Sequence, residues 1–436
     1  MKKTLLPVAL AMATCLGASA QSMKFVPYTL NGTMTGTSVS ENGKFVAGTD
    51  TEGRGFIHNT ETGDTKFFQS PNLGSDTATD DDKTIIYSVT NEGVGVGCIN
   101  TKATKFDFTT GSYTTLFENA EGEYAIAKST SADGSIYCGV TYDDSYAQKP
   151  YIFTDGKKTA LPTPTEEWIG FETNGYMANY IANDGKLIVG GAIDNFATYP
   201  LVFWVRNSDN STYSVQTPSK RFIDPTFDLT GDQPYSYFEG AFVSENGKWI
   251  VLNMQGKTLE SPMKIARFNV ESEKIDTLYC PDASETKYYF ASGIANDGTV
   301  VGYTDEQDGF VRNATICLAD EKEVKYLADV YPTLTDIKTM DNEELNMASA
   351  ISPDGRYIVG YGYYPINEKQ DIIATWYIDR QGTTQKVDEI TGNETSTKVV
   401  ASYTADGKRL SGTTAQQRKL IIDRLANGNV VKRLRK

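Results

Sequence analysis

The sequence predicts an all-β protein, a β-propeller of four-stranded blades, and three observations lead to this prediction. A short hairpin pattern recurs along the chain, two further strand-like runs follow each recurrence, and few windows show the period of an amphipathic helix. The pattern is clearest in residues 348–360, where a Pro-Asp-Gly turn separates two apolar runs and a Gly ends the second run. Gly tolerates a positive φ and Asp bonds its own backbone, so this turn is typical of a β-hairpin.

Eight copies of the hairpin pattern lie between residues 38 and 412. Each copy has a turn residue that is Asn or Asp, namely Asn42, Asp81, Asp133, Asp184, Asn246, Asp297, Asp354 and Asp406. Six positions before the turn residue, seven of the eight copies have a small residue, namely Gly36, Ser75, Ala127, Ala178, Gly240, Ala291 and Ala348. We therefore expect each first strand to begin in a crowded place, on the wall of a central channel.

The remainder of each copy completes a blade. A variable loop, an apolar strand, a tight turn and a closing strand follow the hairpin, as in Leu201–Val205 and Thr212–Gln216. Four antiparallel strands repeated radially are propeller blades, whereas the repeats of a β-solenoid are shorter and are not hairpins.

The copies predict a single propeller domain over residues 21–436 with eight blades. Seven blades plus an irregular piece is the alternative, because Asp82 replaces the usual Gly in the second copy. Strand-like runs at Lys24–Leu30 and Asn429–Leu434 both suit the fourth strand that closes the ring.

Residues 1–20 predict a secretory signal peptide. Lys2 and Lys3 precede an apolar stretch, and Ala18-Ser19-Ala20 matches a cleavage site. Cys15 raises a lipoprotein alternative, but Thr14 before it matches a lipobox poorly. No later stretch predicts a membrane span. We expect an exported protein in the periplasm, at the outer membrane or outside the cell.

The charge and the cysteines restrict the class of partner. The formal net charge is −15, and it becomes −17 without the two lysines of the signal peptide. An acidic surface repels phosphate backbones, so nucleic acid is not expected as a partner. The spacing of Cys98, Cys138, Cys280 and Cys317 fits neither a small disulfide scaffold nor a zinc site. Buried thiols in strands are expected, although export also allows them to pair.

The copies resemble the HAF-type extracellular repeat and related Asp-Gly propeller repeats of exported bacterial proteins. Residues 292–314 are the most similar, and residues 348–360 also resemble the repeat of periplasmic propellers of the Tol system. The leader and the Tyr-rich, Asn-rich composition are similar to exported proteins of the Bacteroides group. The resemblance covers residues 31–436 in their repeat skeleton only, implies a propeller, and carries over no catalytic residue.

The long loops are predicted to converge on one face of the ring. In an antiparallel blade the first and third turns lie at one end, and here they are short. The second–third loops and the blade connections lie at the other end and hold nearly all the long insertions, such as residues 217–240 and 328–346. Loops on a rigid scaffold commonly carry recognition, so function is expected at this long-loop face, away from the Asp-Gly turns.

Aromatic residues are the candidate ligand-binding residues of the long-loop face. Tyr and Trp give stiff contact area with a polar tip, which suits protein or sugar surfaces. The candidates are Trp168, Phe171, Tyr176, Phe196, Tyr199, Tyr235, Tyr237, Phe238, Tyr288, Tyr289, Tyr363 and Tyr364.

The sequence offers no clear catalytic set, metal site or cofactor site. His58 is the only His, which leaves no multi-His metal site, and we expect it to be structural. The Asp residues of the repeated turns are assigned to turn chemistry. Asp80–Asp82 and Asp143–Asp144 lack the alternating spacing of an EF-hand loop.

A binding or scaffold module is therefore the predicted function, with a protein or a glycan as partner. The alternative is a carbohydrate-active enzyme, a hydrolase or lyase, that uses tyrosines and the adjacent carboxylates Glu166–Glu167 and Glu343–Glu344 of the long loops.

Overall fold

Seven four-stranded antiparallel sheets form the described part of residues 21–380, and each sheet is one blade. The computed structural model describes residues 22–25, 34–143, 145, 147–154, 156–164, 173–194, 201–209, 211–216, 242–254, 264–272, 274–284, 286–306, 312–331, 347–367, 370–381, 399–404, 419–425 and 430–435. Two compact units divide the chain, one of residues 21–380 and one of residues 1–20 with 381–436.

Blades 1 to 6 are each made of four consecutive strands in the order of the chain. Blades 1 to 3 comprise β2 (Met34–Val39), β3 (Phe45–Asp50), β4 (Gly55–Asn59) and β5 (Thr65–Phe68); β6 (Thr84–Val89), β7 (Val94–Ile99), β8 (Lys102–Asp107) and β9 (Ser112–Thr115); and β10 (Tyr124–Thr130), β11 (Tyr137–Tyr142), β12 (Lys149–Thr154) and β13 (Lys157–Ala160). Blades 4 to 6 comprise β14 (Thr173–Ile181), β15 (Leu187–Asp194), β16 (Leu201–Arg206) and β17 (Tyr213–Gln216); β18 (Phe242–Val243), β19 (Trp249–Met254), β20 (Lys264–Asn269) and β21 (Lys274–Thr277); and β22 (Lys287–Ile294), β23 (Val300–Glu306), β24 (Arg312–Cys317) and β25 (Lys325–Tyr326). The described helices are a 3₁₀ turn (Asp80–Asp82) and α1 (Leu327–Val330).

Blade 7 takes its fourth strand from the other end of the chain. It consists of β26 (Met347–Ile351), β27 (Tyr357–Asn367), β28 (Gln370–Asp379) and β1 (Ser22–Phe25). Strand β1 runs antiparallel to β28, with Ser22 opposite Asp379 and Phe25 opposite Trp376. The N-terminal strand-like run predicted at Lys24–Leu30 therefore lies partly in the strand that closes the ring.

The prediction of eight blades is wrong, and the seven-bladed alternative is the observed fold. The eighth copy of the repeat contributes β29 (Val399–Thr404), β30 (Lys419–Leu425) and β31 (Val430–Arg435), which form a sheet of their own in the second compact unit. No described strand of this sheet pairs with a described strand of the seven blades. Counting hairpins overcounts blades because a hairpin pattern does not say which sheet the hairpin joins.

The turn assigned to the second copy is also wrong. Asp81 lies in the 3₁₀ turn before blade 2, and the first strand of that blade is β6. The equivalent hairpin turn is Thr90-Asn91-Glu92-Gly93, in which Gly93 has a φ of 78°. The turn residues of blades 1 to 7 are therefore Asn42, Glu92, Asp133, Asp184, Asn246, Asp297 and Asp354.

The repeated turn is held by side-chain chemistry, as the sequence predicts. In blade 1, Ser40 Oγ donates to Asn42 Oδ1 at 2.8 Å, while the backbone N–H of Lys44 donates to the same Oδ1 at 3.0 Å. Ser40 Oγ also accepts from the N–H of Phe45 at 2.9 Å. The same arrangement recurs at Ser131–Asp133, Ser244–Asn246 and Ser352–Asp354.

Apolar clusters between neighbouring blades form the core. Ala295 and Val301 of blade 6 belong to the same cluster as Ile358 and Trp376 of blade 7, and Trp204 fills the equivalent layer between blades 3 and 4. Both tryptophans are fully buried. Each blade is therefore stabilised mainly by the face of its neighbour, since burial of an aromatic side chain contributes a few kcal/mol.

A β-bulge interrupts the first strand of every blade in which that strand is described at this point. The register with the second strand shifts in blades 1, 2, 3, 4, 6 and 7. The extra residue stands five positions before the turn residue; it directly follows the small residue noted in the sequence in five blades, and it follows Ile86 in blade 2. We call this place the bulge position; it is occupied by Thr37, Tyr87, Lys128, Asn179, Ser292 and Ser349.

The Gly that ends the second run of the hairpin follows from this bulge. An added Cβ on Gly190 would overlap the carbonyl oxygen of Met177, and one on Gly48 would overlap that of Thr35. The bulged first strand presses a carbonyl group against the second strand, and only a residue without a side chain fits there.

Candidate functional site: the central channel

The central channel contains a cavity of about 540 Å³ that is lined by first-strand residues of all seven blades. This confirms that the first strands form the channel wall. The bulge positions of six blades line it, together with the residue that follows each of them. A bulge leaves one residue out of the regular pairing and redirects its side chain, which explains why these residues reach the channel.

On one side of the channel the bulge position holds a hydroxyl group that binds the next blade. Thr37 Oγ1 donates to the carbonyl oxygen of Ile86 at 2.9 Å, which joins blade 1 to blade 2. Ser292 Oγ donates to the carbonyl oxygen of Ala348 at 2.6 Å, and Ser349 Oγ donates to that of Gly36 at 2.5 Å. We call Thr37, Ser292 and Ser349 the hydroxyl wall, since their polar groups are used within the protein.

Blade 5 is joined to blade 6 by an amide instead. Asn253, on the second strand of blade 5, is 2% exposed. Its Nδ2 donates to the carbonyl oxygen of Ala291 at 3.0 Å, and its Oδ1 accepts from the N–H of the same residue at 2.6 Å. Ala291 is equivalent to Gly36 and Ala348, so the same backbone group is bound on this side of the ring by a different side chain.

On the other side of the channel the bulge position holds longer functional groups. Tyr87, Lys128 and Asn179, from blades 2, 3 and 4, line the cavity, and we call them the open wall. The Nζ atom of Lys128 lies 3.7 Å from the centre of the Tyr87 ring, which is a cation–π contact. Among the described residues, no carboxylate forms an ion pair with Lys128 and no acceptor forms a hydrogen bond with it.

The environment of Lys128 makes its positive charge costly. The side chain of Lys128 is half-buried, and its loss of hydration lowers the pKa of the ammonium group to about 8. The nearby thiols of Cys98 and Cys138 act to raise this pKa, but their effect is smaller than that of burial. Lys128 has therefore lost much of its hydration and has no ion-pair partner among the described residues.

Neighbouring groups add hydrogen-bonding capacity. Burial raises the pKa values of Tyr87 and Tyr180, so both phenols stay protonated and remain able to donate at neutral pH. The Ser88 hydroxyl lines the cavity and forms no hydrogen bond within the described residues. The ring of Tyr180 packs against Phe242 with centroids 4.6 Å apart, so a pair of aromatic rings lies beside the open wall.

At the turn end, the cavity is lined by residues that directly precede the turn residues, and two of these are acidic. Glu41 of blade 1 accepts from Asn91 Nδ2 at 3.2 Å. Burial, together with the negative charge of Glu41, raises the pKa of Glu245 to about 7, although a hydrogen bond with Asn183 opposes the change. Glu41 of blade 1 and Glu245 of blade 5 line the same cavity, and the charge of Glu41 acts on Glu245.

Hydrogen bonds between neighbouring turns hold this end of the channel. The backbone N–H of Asn42 donates to Asn91 Oδ1 at 2.9 Å, and that of Asn246 donates to Asn296 Oδ1 at 2.8 Å. The N–H of Asn183 donates to the carbonyl oxygen of Glu245 at 2.7 Å. Glu41 and Glu245 therefore lie in turns that hydrogen bonds connect to the neighbouring turns.

The described structure does not gather the aromatic residues predicted from the sequence into one site. Tyr176 lies in the apolar cluster between blades 3 and 4. Tyr289 is 1% exposed, and its hydroxyl donates to the carbonyl oxygen of Pro281. Tyr288 is half-buried on β22, and Tyr363 and Tyr364 lie on β27 with side chains that are not described. The other seven candidates lie outside the described residues, namely Trp168, Phe171, Phe196, Tyr199, Tyr235, Tyr237 and Phe238.

The carboxylates that the sequence analysis considered for catalysis and for metal binding do not form a site in the described residues. Glu166–Glu167 and Glu343–Glu344 lie outside those residues, as does Asp144. Asp82 instead caps its 3₁₀ turn, accepting from the N–H of Thr79 at 2.9 Å. No three metal-ligating side chains meet within the described part of the chain.

His58 and the cysteines are packed into the blades. His58 is 3% exposed on the third strand of blade 1, and its Nδ1 lies 2.9 Å from Thr65 Oγ1. Cys98, Cys138, Cys280 and Cys317 are all buried and take part in no disulfide bond. Burial raises the pKa of Cys98 to about 11, which keeps this thiol protonated at neutral pH. No described helix is both long and apolar enough to span a bilayer.

Sequence reasoning missed the open wall, although a signal for it exists. With the turns aligned as the structure has them, five positions before the turn residue stand Thr37, Ser292 and Ser349 in three blades. Lys128 and Tyr87 are the large exceptions at that position. Because the turn of the second copy was predicted at Asp81, Tyr87 did not align with Lys128. The predicted ligand-binding residues were aromatic residues of the loops.

Comparisons with known proteins identify no family for this chain. No family model matches the chain, and no curated protein matches it. An oligogalacturonate lyase from Vibrio parahaemolyticus is 10% identical with a TM-score of 0.49, covering 83% of this chain and 97% of that chain. An oligogalacturonate lyase in complex with manganese is 9% identical with a TM-score of 0.48, covering 83% of this chain and 96% of that chain. The Cps50 (Swd1) β-propeller domain of Myceliophteria thermophila is 12% identical with a TM-score of 0.44, covering 81% of this chain and 99% of that chain. These values support no argument about activity, and the seven sheets themselves establish the propeller.

Proposed function

We propose that this β-propeller is an exported binding module that holds an acidic group of a protein or glycan partner in its central channel. The observation that carries the proposal is Lys128, a cation in the channel cavity with no anionic partner among the described residues. Export is part of the proposal because residues 1–20 have the pattern of a signal peptide.

A carboxylate suits the open wall in charge and in hydrogen bonding. One ammonium group neutralises one negative charge, and the hydroxyl of Ser88 together with the phenols of Tyr87 and Tyr180 offers neutral donors beside it. Folding has already desolvated the ammonium group and fixed the wall, so a ligand gains the ion pair without the full cost of ordering it. Multiply charged anions suit the channel less well, because Glu41 and Glu245 repel them at the turn end.

The long-loop face has a supporting role in this proposal. A partner whose acidic group enters the channel also contacts the face around it, where the sequence concentrates aromatic residues. No observation of the described residues favours an enzymatic function, because the carboxylate pairs considered for catalysis lie outside those residues.

A thermal-shift experiment with paired ligands tests the proposed function. The panel contains uronic-acid oligosaccharides, neutral oligosaccharides, peptides with acidic side chains and neutral peptides with both ends blocked. We expect carboxylated members to raise the melting temperature of the wild-type protein. Affinity for those members should fall by a factor of about 30 or more in Lys128→Met, because losing one partner of a buried charge pair costs roughly 2–5 kcal/mol.

Lys157→Met is the matched control, since Lys157 is an exposed lysine of the same blade. It should bind like the wild type. If no carboxylated member binds, or if Lys128→Met binds them as well as the wild type does, the proposed function is wrong.

A further inference from the structure

The cavity carries charges of opposite sign at two levels of the channel. Lys128 occupies a bulge position, whereas Glu41 and Glu245 occupy the place directly before the turn residue, four positions further along the equivalent segments and just past the ends of their strands. At about 3.3 Å per extended residue, the two levels are at most roughly 13 Å apart.

The two levels do not neutralise each other. Burial and the thiols of Cys98 and Cys138 act on the Lys128 ammonium group, and neither glutamate does. Burial, Glu41 and Asn183 act on Glu245, and Lys128 does not. Yet Lys128, Glu41 and Glu245 line one continuous cavity of about 540 Å³, which is within the range that holds a small ligand.

We infer that the ligand of this channel is a short zwitterionic peptide, whose terminal carboxylate binds Lys128 and whose terminal ammonium group binds between Glu41 and Glu245. The inference rests on the proposed function, because it assigns the ligand class of the same site. It does not depend on the acidic pair alone, since the unpaired Lys128 and the unbonded Ser88 hydroxyl both point to a ligand in the cavity.

The spacing of the charges sets the length of the peptide. An extended chain advances about 3.3–3.6 Å per residue, so roughly four residues span the two levels. A peptide of this length places one positive and one negative charge at its two ends, in the polarity that the channel offers. A uronic-acid glycan supplies the negative charge but no cation for Glu41 and Glu245.

The wall between the two levels also suits a peptide backbone. Backbone N–H and C=O groups need partners when they leave water. The open wall offers the Asn179 amide and the Ser88 hydroxyl, and the phenol of Tyr180 lies beside them. Side chains of the peptide would pack against the aromatic rings of Tyr180 and Phe242.

Four forms of a randomised tetrapeptide library test this inference. One form has free ends, one is N-acetylated, one is C-amidated and one is blocked at both ends. Retention by the full-length protein is measured by ultrafiltration and mass spectrometry. We expect the library with free ends to be retained best, and each single block to lower retention by about tenfold or more, the value of one charge-assisted hydrogen bond.

Variants assign each end of the peptide. Lys128→Met should abolish the preference for a free carboxylate and keep the preference for a free amine. The double variant Glu41→Gln, Glu245→Gln should do the reverse. Lys157→Met and Glu121→Gln change exposed charges outside the channel and should behave like the wild type. Urea unfolding of every variant shows that the fold is kept.

The outcomes separate this inference from the proposed function. If blocked and free libraries are retained equally, or if the glutamate variants do not change the preference for a free amine, the peptide inference is wrong. If carboxylated ligands of the thermal-shift panel still bind through Lys128 in that case, the proposed function stands. If binding through Lys128 is absent in both experiments, both are wrong.

Discussion

The two sides of the channel use the same strand position for different purposes. On the hydroxyl wall, the hydroxyl groups of Thr37, Ser292 and Ser349 each donate a hydrogen bond to a backbone carbonyl group of the next blade. On the open wall, the bulge position carries Lys128 and Tyr87, and the charge of Lys128 has no counter-ion among the described residues. The hydroxyl wall therefore stabilises the ring, whereas the open wall holds a desolvated charge that the proposed ligand would neutralise.

The largest stability effect should come from blade 5, on the bonded side. Asn253→Ala leaves the N–H and C=O groups of Ala291 without their partner in a buried place, and we expect a loss of about 3 kcal/mol in the free energy of unfolding. Urea unfolding followed by circular dichroism measures this value. A loss below about 0.5 kcal/mol, the usual size for surface substitutions, would contradict the bonding role of this side.

The hydroxyl wall should give the next largest effect. The triple variant Thr37→Val, Ser292→Ala, Ser349→Ala removes three hydrogen bonds between blades, which contribute about 0.5–1.5 kcal/mol each. We expect a lower urea midpoint and unchanged binding of carboxylated ligands. Tyr87→Phe on the open wall is the comparison and should leave the midpoint nearly unchanged. If both variants shift the midpoint equally, the distinction between the walls is wrong.

Lys128 should make stability depend on pH in the alkaline range. Its pKa is about 8 in the folded protein, below the ordinary lysine value of 10.5. This group therefore contributes stability that is fully present above pH 10.5 and is lost as the pH falls through 8. Lys128→Met should accordingly be more stable than the wild type at pH 7, and the difference should shrink above pH 8. Urea unfolding at pH 7 and pH 9.5 tests this, and a difference independent of pH would contradict it.

Glu245 at the turn end should make stability depend on pH near neutrality. Burial raises its pKa to about 7 in the folded protein, above the ordinary glutamate value of 4.5, so this group contributes stability below pH 4.5 that is lost as the pH rises through 7. Glu245→Gln should therefore remove a decline in stability between pH 5 and pH 7.5. Melting curves of the two proteins across this range measure the effect, and Glu121→Gln is the control. Parallel curves for wild type and Glu245→Gln would show that Glu245 is not buried against Glu41.

The sequence predicted the blade well because the blade is a local structure. Tight turns such as Ser131–Gly134 and the Gly at the end of the second run are specified by residues close in the chain. The ring is not local, and this is why the count was wrong. Blade 7 is completed by Ser22–Phe25, which is more than 350 residues from β28, and no hairpin pattern records that pairing.

The candidate site was missed for a geometric reason. Strict alternation along a strand assigns each side chain to one of two faces, but a bulge shifts this assignment by one residue. Lys128 and Tyr87 reach the cavity from the bulge itself, so alternation does not predict their direction. The aromatic residues of the long loops remain a prediction, since most of them lie outside the described residues.

The central claim, that Lys128 is an anion-binding cation without its anion, is tested most directly by the pH dependence of its acetylation. Competitive labelling of the native protein with acetic anhydride, read by mass spectrometry, reports the pKa of each lysine. We predict that Lys128 titrates near pH 8 and shifts upward when a carboxylated ligand is bound, while the labelling of exposed Lys157 does not change with ligand. Titration of Lys128 near 10.5, unchanged by every carboxylated ligand, would contradict the claim.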